Sequence, residues 1–245
     1  MSKPRRPFCR VGSKAPIADK IIKMIPPHEI YVEPFVGSGA IYWKKEPSKK
    51  EVINDLDNDL INNYKILKRT KERNFKTDLN TADELNNFVN RPAKTDTDKL
   101  LKASIISCGT YGTTGKGKIY REHNPYNKFK NIDKQQERMN NTTILNQDYK
   151  TVIKKYDSPK TFFFLDPPYE SSEKLYKKGS FNYPELNNVL ENIKGKFLLT
   201  LNDSKNIRTI FRGFKINSIS VKGNRRGREG GLGGGIRKEL IIKNY

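Results

Sequence analysis

The chain has only two cysteines and two histidines in 245 residues, and they do not cluster. Cys9 and Cys108 lack metal-ligand spacing, and His28 and His123 add no Cys/His group. These counts argue against a zinc site or any other metal, and nothing predicts a disulfide framework. Long apolar runs are also missing. No stretch reaches the roughly 18 apolar residues that a membrane helix needs, and the start Met1-Ser2-Lys3-Pro4-Arg5-Arg6-Pro7 has no apolar signal core. The expectation is therefore a soluble intracellular protein, cytoplasmic or, in a eukaryotic host, nuclear, and neither secreted nor membrane-bound. No heptad pattern or internal repeat appears. Acidic residues are scarce beside basic ones, 27 against 48, which gives a net charge of +21. Such an excess predicts a polyanionic partner, most simply nucleic acid, although a generally lysine-rich source would give the same balance.

Apolar residues make up only 34% of the chain, yet 12 Phe, 12 Tyr and one Trp supply core material. The length suits one sizeable α/β domain with an insertion, or two small domains. Thr161-Phe162-Phe163-Phe164-Leu165 reads as a buried strand that Asp166-Pro167-Pro168-Tyr169 must end, because two prolines cannot continue a ladder. A carboxylate and a phenol ring are thereby fixed on stiff backbone at the carboxyl end of a strand, where open α/β sheets bind ligands. The corner suits a planar heteroaromatic amine, with Asp166 and a proline carbonyl accepting from its NH2 and the Tyr169 ring stacking on its face. A strand-ending turn with a capping Asp explains the same four residues.

Earlier in the chain, apolar residues at Ile17, Ala18, Ile21, Ile22 and Ile25 keep helical spacing. Gly12-Ser13-Lys14 precedes that helix, where backbone N–H groups and a lysine favour a carboxylate or phosphate; an ordinary Ser-capped helix start is equally compatible. Ile30–Trp43 reads as a strand, a Gly37-Ser38-Gly39 turn and a helix, with the glycines allowing close approach to a ligand. Glu51–Asp55 reads as a second strand ending in an acid that can accept both hydroxyls of a ribose. Asp55, Asp57 and Asp59 can instead cap the helix expected over Leu56–Leu67.

From Lys68 to Thr143 the chain turns polar and Asn/Lys-rich, with weakly helical stretches at Ala82–Val89 and Leu100–Ile106. The loop or hairpin Gly109–Arg121 interleaves glycines with Tyr111, Thr113, Lys116, Lys118 and Arg121, and Lys128 continues that texture. It suits phosphate and base-edge contacts, or is simply a surface loop. Thr142–Tyr149 reads as a short strand ending in Asp148, a partner for an adenine amino group. After the Asp-Pro-Pro-Tyr strand, Glu170–Tyr183 reads as a polar loop over the site. A helix (Pro184–Ile193), a buried strand (Lys196–Leu201), a short helix (Ile207–Phe211) and a strand (Phe214–Val221) follow. A glycine-rich loop bearing Arg225, Arg226 and Arg228 leads to a last strand, Glu239–Tyr245; the loop can track a sugar-phosphate backbone, or be a hairpin tip without function.

In chain order Gly-Ser-Lys, Glu-Pro-Phe-Val-Gly-Ser-Gly, a strand-end Asp, a basic insertion and Asp-Pro-Pro-Tyr resemble the Dam-type DNA adenine-N6 methyltransferases, the α-group or D12 class. The resemblance covers nearly the whole chain. It implies a class I methyltransferase fold, α/β and Rossmann-like with a seven-stranded sheet, and S-adenosylmethionine over the glycine turn. Residues 1–67 would be the cofactor part, 68–143 the target-recognition insertion and 144–245 the catalytic part. By the same resemblance Lys14, Gly37 and Gly39 hold the methionine end, Asp55 the ribose, and Asp148 with Tyr149 the cofactor adenine. Arg10, Glu33, Phe35, Ser38 and Asp166 complete that set. Asp166, Pro167, Pro168 and Tyr169 would hold a target adenine flipped out of double-stranded DNA at a specific sequence, as in restriction–modification. RNA adenine methylation and a catalytically idle DNA-binding protein are the alternatives. The oligomeric state is left open.

Overall fold

The computed structural model describes residues 4–110, 118–119, 125–170, 181–222 and 236–245. Within them seven strands form one mixed sheet, ordered β3-β2-β1-β4-β5-β7-β6. These are β1 (Ile30–Glu33), β2 (Lys50–Asn54), β3 (Thr142–Leu145), β4 (Thr161–Leu165), β5 (Lys196–Asn202), β6 (Lys215–Lys222) and β7 (Ile236–Lys243). The pairs β2–β3, β1–β4 and β4–β5 are parallel, while β5–β7 and β6–β7 are antiparallel. The expected seven-stranded α/β sheet is borne out. Its inner strands read as apolar runs because both faces are covered: all five residues of β4 and Phe197–Leu201 of β5 are buried.

The chain forms two compact units, one of Met1–Ala15 with Val36–Gln147 and the other of Pro16–Phe35 with Asp148–Tyr245. The first unit contains β2, α2 (Asn58–Arg69), β3 and the helices α3 (Ala82–Asn90), α4 (Asp96–Gly109), α5 (Tyr126–Phe129) and α6 (Ile132–Arg138). Asp57 caps α2 by accepting from Leu60 N at 3.1 Å. Thr81 and Glu84 close a reciprocal capping box on α3. The polar 68–143 stretch has a core of its own, in which Phe75 and Phe129 stack with centroids 5.0 Å apart. Glu51, 1% exposed, pairs with Lys45 and Arg138 in a buried network that ties the start of β2 to the end of α6.

The second unit contains α1 (Ala18–Ile22), β1, α7 (Tyr149–Tyr156), β4, α8 (Tyr183–Glu191), β5, α9 (Lys205–Ile210), β6 and β7. Asn182 and Ser204 cap α8 and α9 from their side chains.

Four expectations need correction. Cys9 and Cys108 form a disulfide, their Cα atoms 5.0 Å apart and 99 positions separated in sequence; spacing along the chain hid a pairing that only folding creates. No helix follows the glycine turn. Residues 40–45 form turns instead, because Lys44 N and Lys45 N both bond Ile41 O and no continuous ladder develops. Asp148 does not end a strand but caps α7, accepting from Lys150 N at 2.9 Å. The helix read at Leu100–Ile106 starts earlier, at Asp96, where Thr95 caps it. Among the described residues no helix is long and apolar enough to cross a membrane, and no cluster of metal-ligating side chains is present.

Candidate active site

In the first unit the glycine turn is held from three directions. Gly37 and Gly39 have φ of 46° and 64°, a region that side-chain-bearing residues rarely adopt. A Cβ on Gly39 would lie 2.9 Å from Trp43 Cδ1, whereas one on Gly37 would meet nothing nearer than Arg10 Cγ at 3.9 Å. Gly37 is thus not crowded at its Cβ position, while Gly39 is packed tight against Trp43 and Tyr64. Gly37 N–H donates to Asp55 Oδ2 at 2.9 Å, and Tyr64 of α2 donates to Gly37 O at 3.0 Å. Asp55 also accepts from Asp57 N at 3.0 Å. Burial pushes the Asp55 carboxyl up, against the pull of both N–H donors and of Arg10.

Arg10 pairs with Asp57. Burial alone would raise the Asp57 carboxyl, but Arg10 and the N–H donors of the α2 cap together hold it below its usual range. Arg6 donates to Ser13 Oγ and, at 3.1 Å, to Ser38 Oγ, which lies 3.0 Å from Ser13 Oγ. Lys14 is buried with its ammonium 2.7 Å from Gly12 O.

In the second unit Asp166-Pro167-Pro168-Tyr169 follows β4, as expected. Thr200 of β5, fully buried, donates to Asp166 Oδ1 at 2.7 Å and fixes the carboxylate from behind. Tyr183 donates to Pro168 O at 2.8 Å. Among the described residues no donor takes the Pro167 carbonyl. Tyr169 donates to Glu239 of β7 at 3.2 Å; burial, then Asp166 and Glu239, push its phenol well up, so it stays a neutral ring.

Glu170 anchors the corner. Its carboxylate accepts from Ser204 at 2.6 Å, Asn206 at 2.6 Å and Asn202 at 3.2 Å. Burial opposes its ionisation, but the three donors outweigh it and hold the group below the usual glutamate range. A depressed carboxylate stabilises the fold above its unfolded value and loses that contribution as pH falls through the folded one. Glu170→Gln should therefore lower stability at pH 7 and lose that deficit near pH 3. Denaturant titrations of both proteins across that range check this, and a deficit independent of pH would refute it.

Beside the corner, Phe35, Tyr149, Phe181 and Tyr183 form a ring cluster with successive centroids 5.2–5.7 Å apart. The Tyr149 hydroxyl is buried near Glu185, and burial followed by the Glu185 and Asp148 carboxylates pushes it up. Glu33 is 2% exposed and accepts from Tyr31 at 2.7 Å.

The model of the D12 class N6 adenine-specific DNA methyltransferases matches residues 11–95 and 97–224. The chain belongs to that family. Type II methyltransferases of Lactococcus lactis subsp. cremoris and Methanocaldococcus jannaschii are each 25% identical to it. The first alignment covers 98% of this chain and 95% of the relative, the second 98% and 99%. The DNA adenine methylase of Serratia marcescens is 37% identical over 89 residues, 35% of this chain and 32% of its own.

The chain is thus an adenine-specific DNA methyltransferase whose methyl donor is S-adenosylmethionine. Its residues fit that cofactor: the glycine turn has positive φ at Gly37 and Gly39 and no side chain of its own at Gly37, so a ligand can lie close to its backbone. The first unit gathers Arg10, Lys14, Gly37, Ser38, Gly39 and Asp55. The second gathers Glu33, Phe35, Asp148, Tyr149, Asp166 and Tyr169. Of the expected nucleic-acid contacts, Lys118 is exposed and Lys128 half-buried. Tyr111, Thr113, Lys116, Arg121, Arg225, Arg226 and Arg228 lie outside the described residues, as does most of the loop expected over the site.

Sequence reasoning missed Arg6, Thr200, Glu170, Glu239 and Phe181. Glu170 carried a signal, since it adjoins the Asp-Pro-Pro-Tyr corner, and Arg6 only that of its place in the basic arm. Thr200 and Glu239 carried none, because each meets its partner only through the pairing of β4 with β5 and of β5 with β7.

Proposed function

We propose that this methyltransferase acts on an adenine flipped out of double-stranded DNA at a specific sequence, and that Asp166-Pro167-Pro168-Tyr169 receives the base. One observation carries the reading: Asp166 is aimed by Thr200 and the Pro168 carbonyl is taken by Tyr183, which leaves the Pro167 carbonyl as a second acceptor. The lone pair of an adenine amine is delocalised into the ring, so the amine is a poor nucleophile. Asp166 and the Pro167 carbonyl accept its two N–H groups and favour a tetrahedral nitrogen, whose lone pair can then attack. The bound cofactor would supply an electrophilic sulfonium methyl and leave as the neutral thioether as its S–C bond breaks, and the methylated nitrogen would give its surplus proton to Asp166 or to solvent. Positioning and fixed dipoles lower the barrier, and no covalent intermediate on the chain is required. Tyr169, neutral and held by Glu239, offers the stacking face that a flipped base needs.

For the cofactor, Lys14 and the Gly37–Gly39 turn would take the methionine end, with Arg10 and Ser38 beside it. Asp55 braces the turn and meets the ribose, and Phe35, Asp148 and Tyr149 border the adenine. Glu33 completes the set, and Asp166, also expected there, is given to the target amine instead. Residues 68–143 would read the target, and the basic loops of that region and of the β6–β7 connection would hold phosphates. The Type II names of two relatives suggest pairing with a restriction enzyme.

Transfer of tritiated methyl groups to duplex DNA, duplex RNA and single strands tests this reading. Labelling of duplex DNA alone, at one recurring sequence, is expected. Equal labelling of random duplexes would remove sequence specificity from the proposal, and preference for single strands would remove flipping.

A further inference from the structure

Several cations of the first unit have acids beside them: half-buried Arg10 has Asp57, and buried Lys45 and Arg138 share Glu51. Arg5, Arg6 and Lys128 do not. Among the described residues none of the three enters an ion pair with a carboxylate. Arg6 donates only to the neutral hydroxyls of Ser13 and Ser38, and the Lys128 ammonium has Cys9 Sγ, a weak acceptor, at 3.8 Å.

The backbones of Arg5 and Lys128 are nonetheless held together. Gln135, 1% exposed, donates from one amide nitrogen to Arg5 O at 2.6 Å and to Lys128 O at 2.9 Å. This joins two segments about 120 positions apart in the chain. The arm is pinned on its other side by the Cys9–Cys108 disulfide and by Phe8, buried edge-on against Tyr64 at 5.2 Å. Burial first, then Arg6 and Arg5, pull the Lys128 ammonium down, so the cluster carries an electrostatic cost that a bound anion would remove. Arg5 is exposed and opens the cluster to solvent.

We propose that Arg5, Arg6 and Lys128 form a preorganised phosphate site that takes one phosphodiester of the DNA backbone. A phosphodiester fits better than a small buried anion, because the site opens outward through Arg5 and spans the arm and α5. Arg6 also reaches Ser38 of the glycine turn, so an occupied site links DNA contact to the cofactor's cradle. The inference rests on duplex DNA being the substrate.

The test measures duplex binding by the full chain across a salt series, with cofactor affinity measured in parallel. Arg5→Gln with Lys128→Gln, which leaves Arg6 and its serine contacts in place, should weaken binding at low salt several-fold. It should also make log Kobs against log[salt] less steep by about 0.9, the value of one phosphate contact. Cofactor affinity should not change. Lys128→Arg, which retains the charge, should keep the wild-type slope and guards against a fold defect in the double variant. An unchanged slope in the double variant overturns the site. Lost cofactor affinity at an unchanged slope assigns the cluster to the cofactor carboxylate instead. If the wild type binds duplex DNA but methylates none, the functional reading fails separately and the slope comparison still decides the phosphate site.

Discussion

Asp166→Ala lowers methyl transfer to duplex DNA by about 10³-fold or more, on the scale of removing a preorganised polar group from a reacting centre. Cofactor binding changes little, because the side chain acts at the target amine. Asp166→Asn separates charge from shape. It still bonds Thr200 but offers the amine a weaker acceptor, so it should fall between the wild type and Asp166→Ala. Single-turnover labelling together with cofactor binding by calorimetry reads both effects. If cofactor affinity collapses while the fold is intact, Asp166 belongs to the cofactor and the amine role fails. Thr200→Val should reproduce a milder form of the same defect, since the 2.7 Å bond that aims the carboxylate is lost while the buried volume is kept. That loss should appear in kcat more than in cofactor binding, which a purely structural role would not produce.

Reduction of Cys9–Cys108 destabilises the protein by about 2–5 kcal/mol, because the bridge closes a long loop and restricts the unfolded chain. For a chain of this size each kcal/mol shifts Tm by roughly 2–4 °C, so the melting point should fall by roughly 4–20 °C. The bridge also fixes the arm that carries Arg6, Arg10 and Lys14, and Cys9 N donates to Ser107 at 3.3 Å in the same joint. Scanning calorimetry with and without a dithiol, beside a Cys9→Ser/Cys108→Ser variant, measures the effect. Identical melting of the oxidised, reduced and variant proteins would mean that the bridge contributes nothing in solution.

What the sequence revealed divides along a physical line. Buried strands were legible wherever both faces are covered, as in Thr161–Leu165 and Lys196–Leu201, because uninterrupted apolar runs leave little choice. Helices α2, α3 and α8 were legible from caps and period. Missed helices have other causes. α7 begins at an aspartate that equally reads as a strand end, and α5 and α6 are short and polar, their character set by a few buried residues such as Phe129 and Ile132. At the site, chemistry carried by adjacent residues was visible, notably the Asp-Pro-Pro-Tyr corner and the glycine turn. Partners supplied by neighbouring strands were not. Thr200 and Glu239 lie 34 and 70 positions from the side chains they hold, and only strand pairing brings them there.

The 68–143 stretch leaves from the end of α2 and returns at β3, and the two points lie together. Its exit and return are sewn together: Lys68 donates to Thr142 O at 2.6 Å, and Gln136 donates to Leu67 O at 2.9 Å and Thr70 O at 2.7 Å. Beneath that seam β2 and β3 run side by side, with Glu51 opposite Thr142. A segment whose two ends already meet can grow or shrink at a cost that rises only logarithmically with its length, about 0.6 kcal/mol per doubling. The seam thus acts as an exchange point. A longer or shorter segment can take its place without moving β2 and β3, provided that it keeps Cys108 and Arg138, whose partners Cys9 and Glu51 lie outside it.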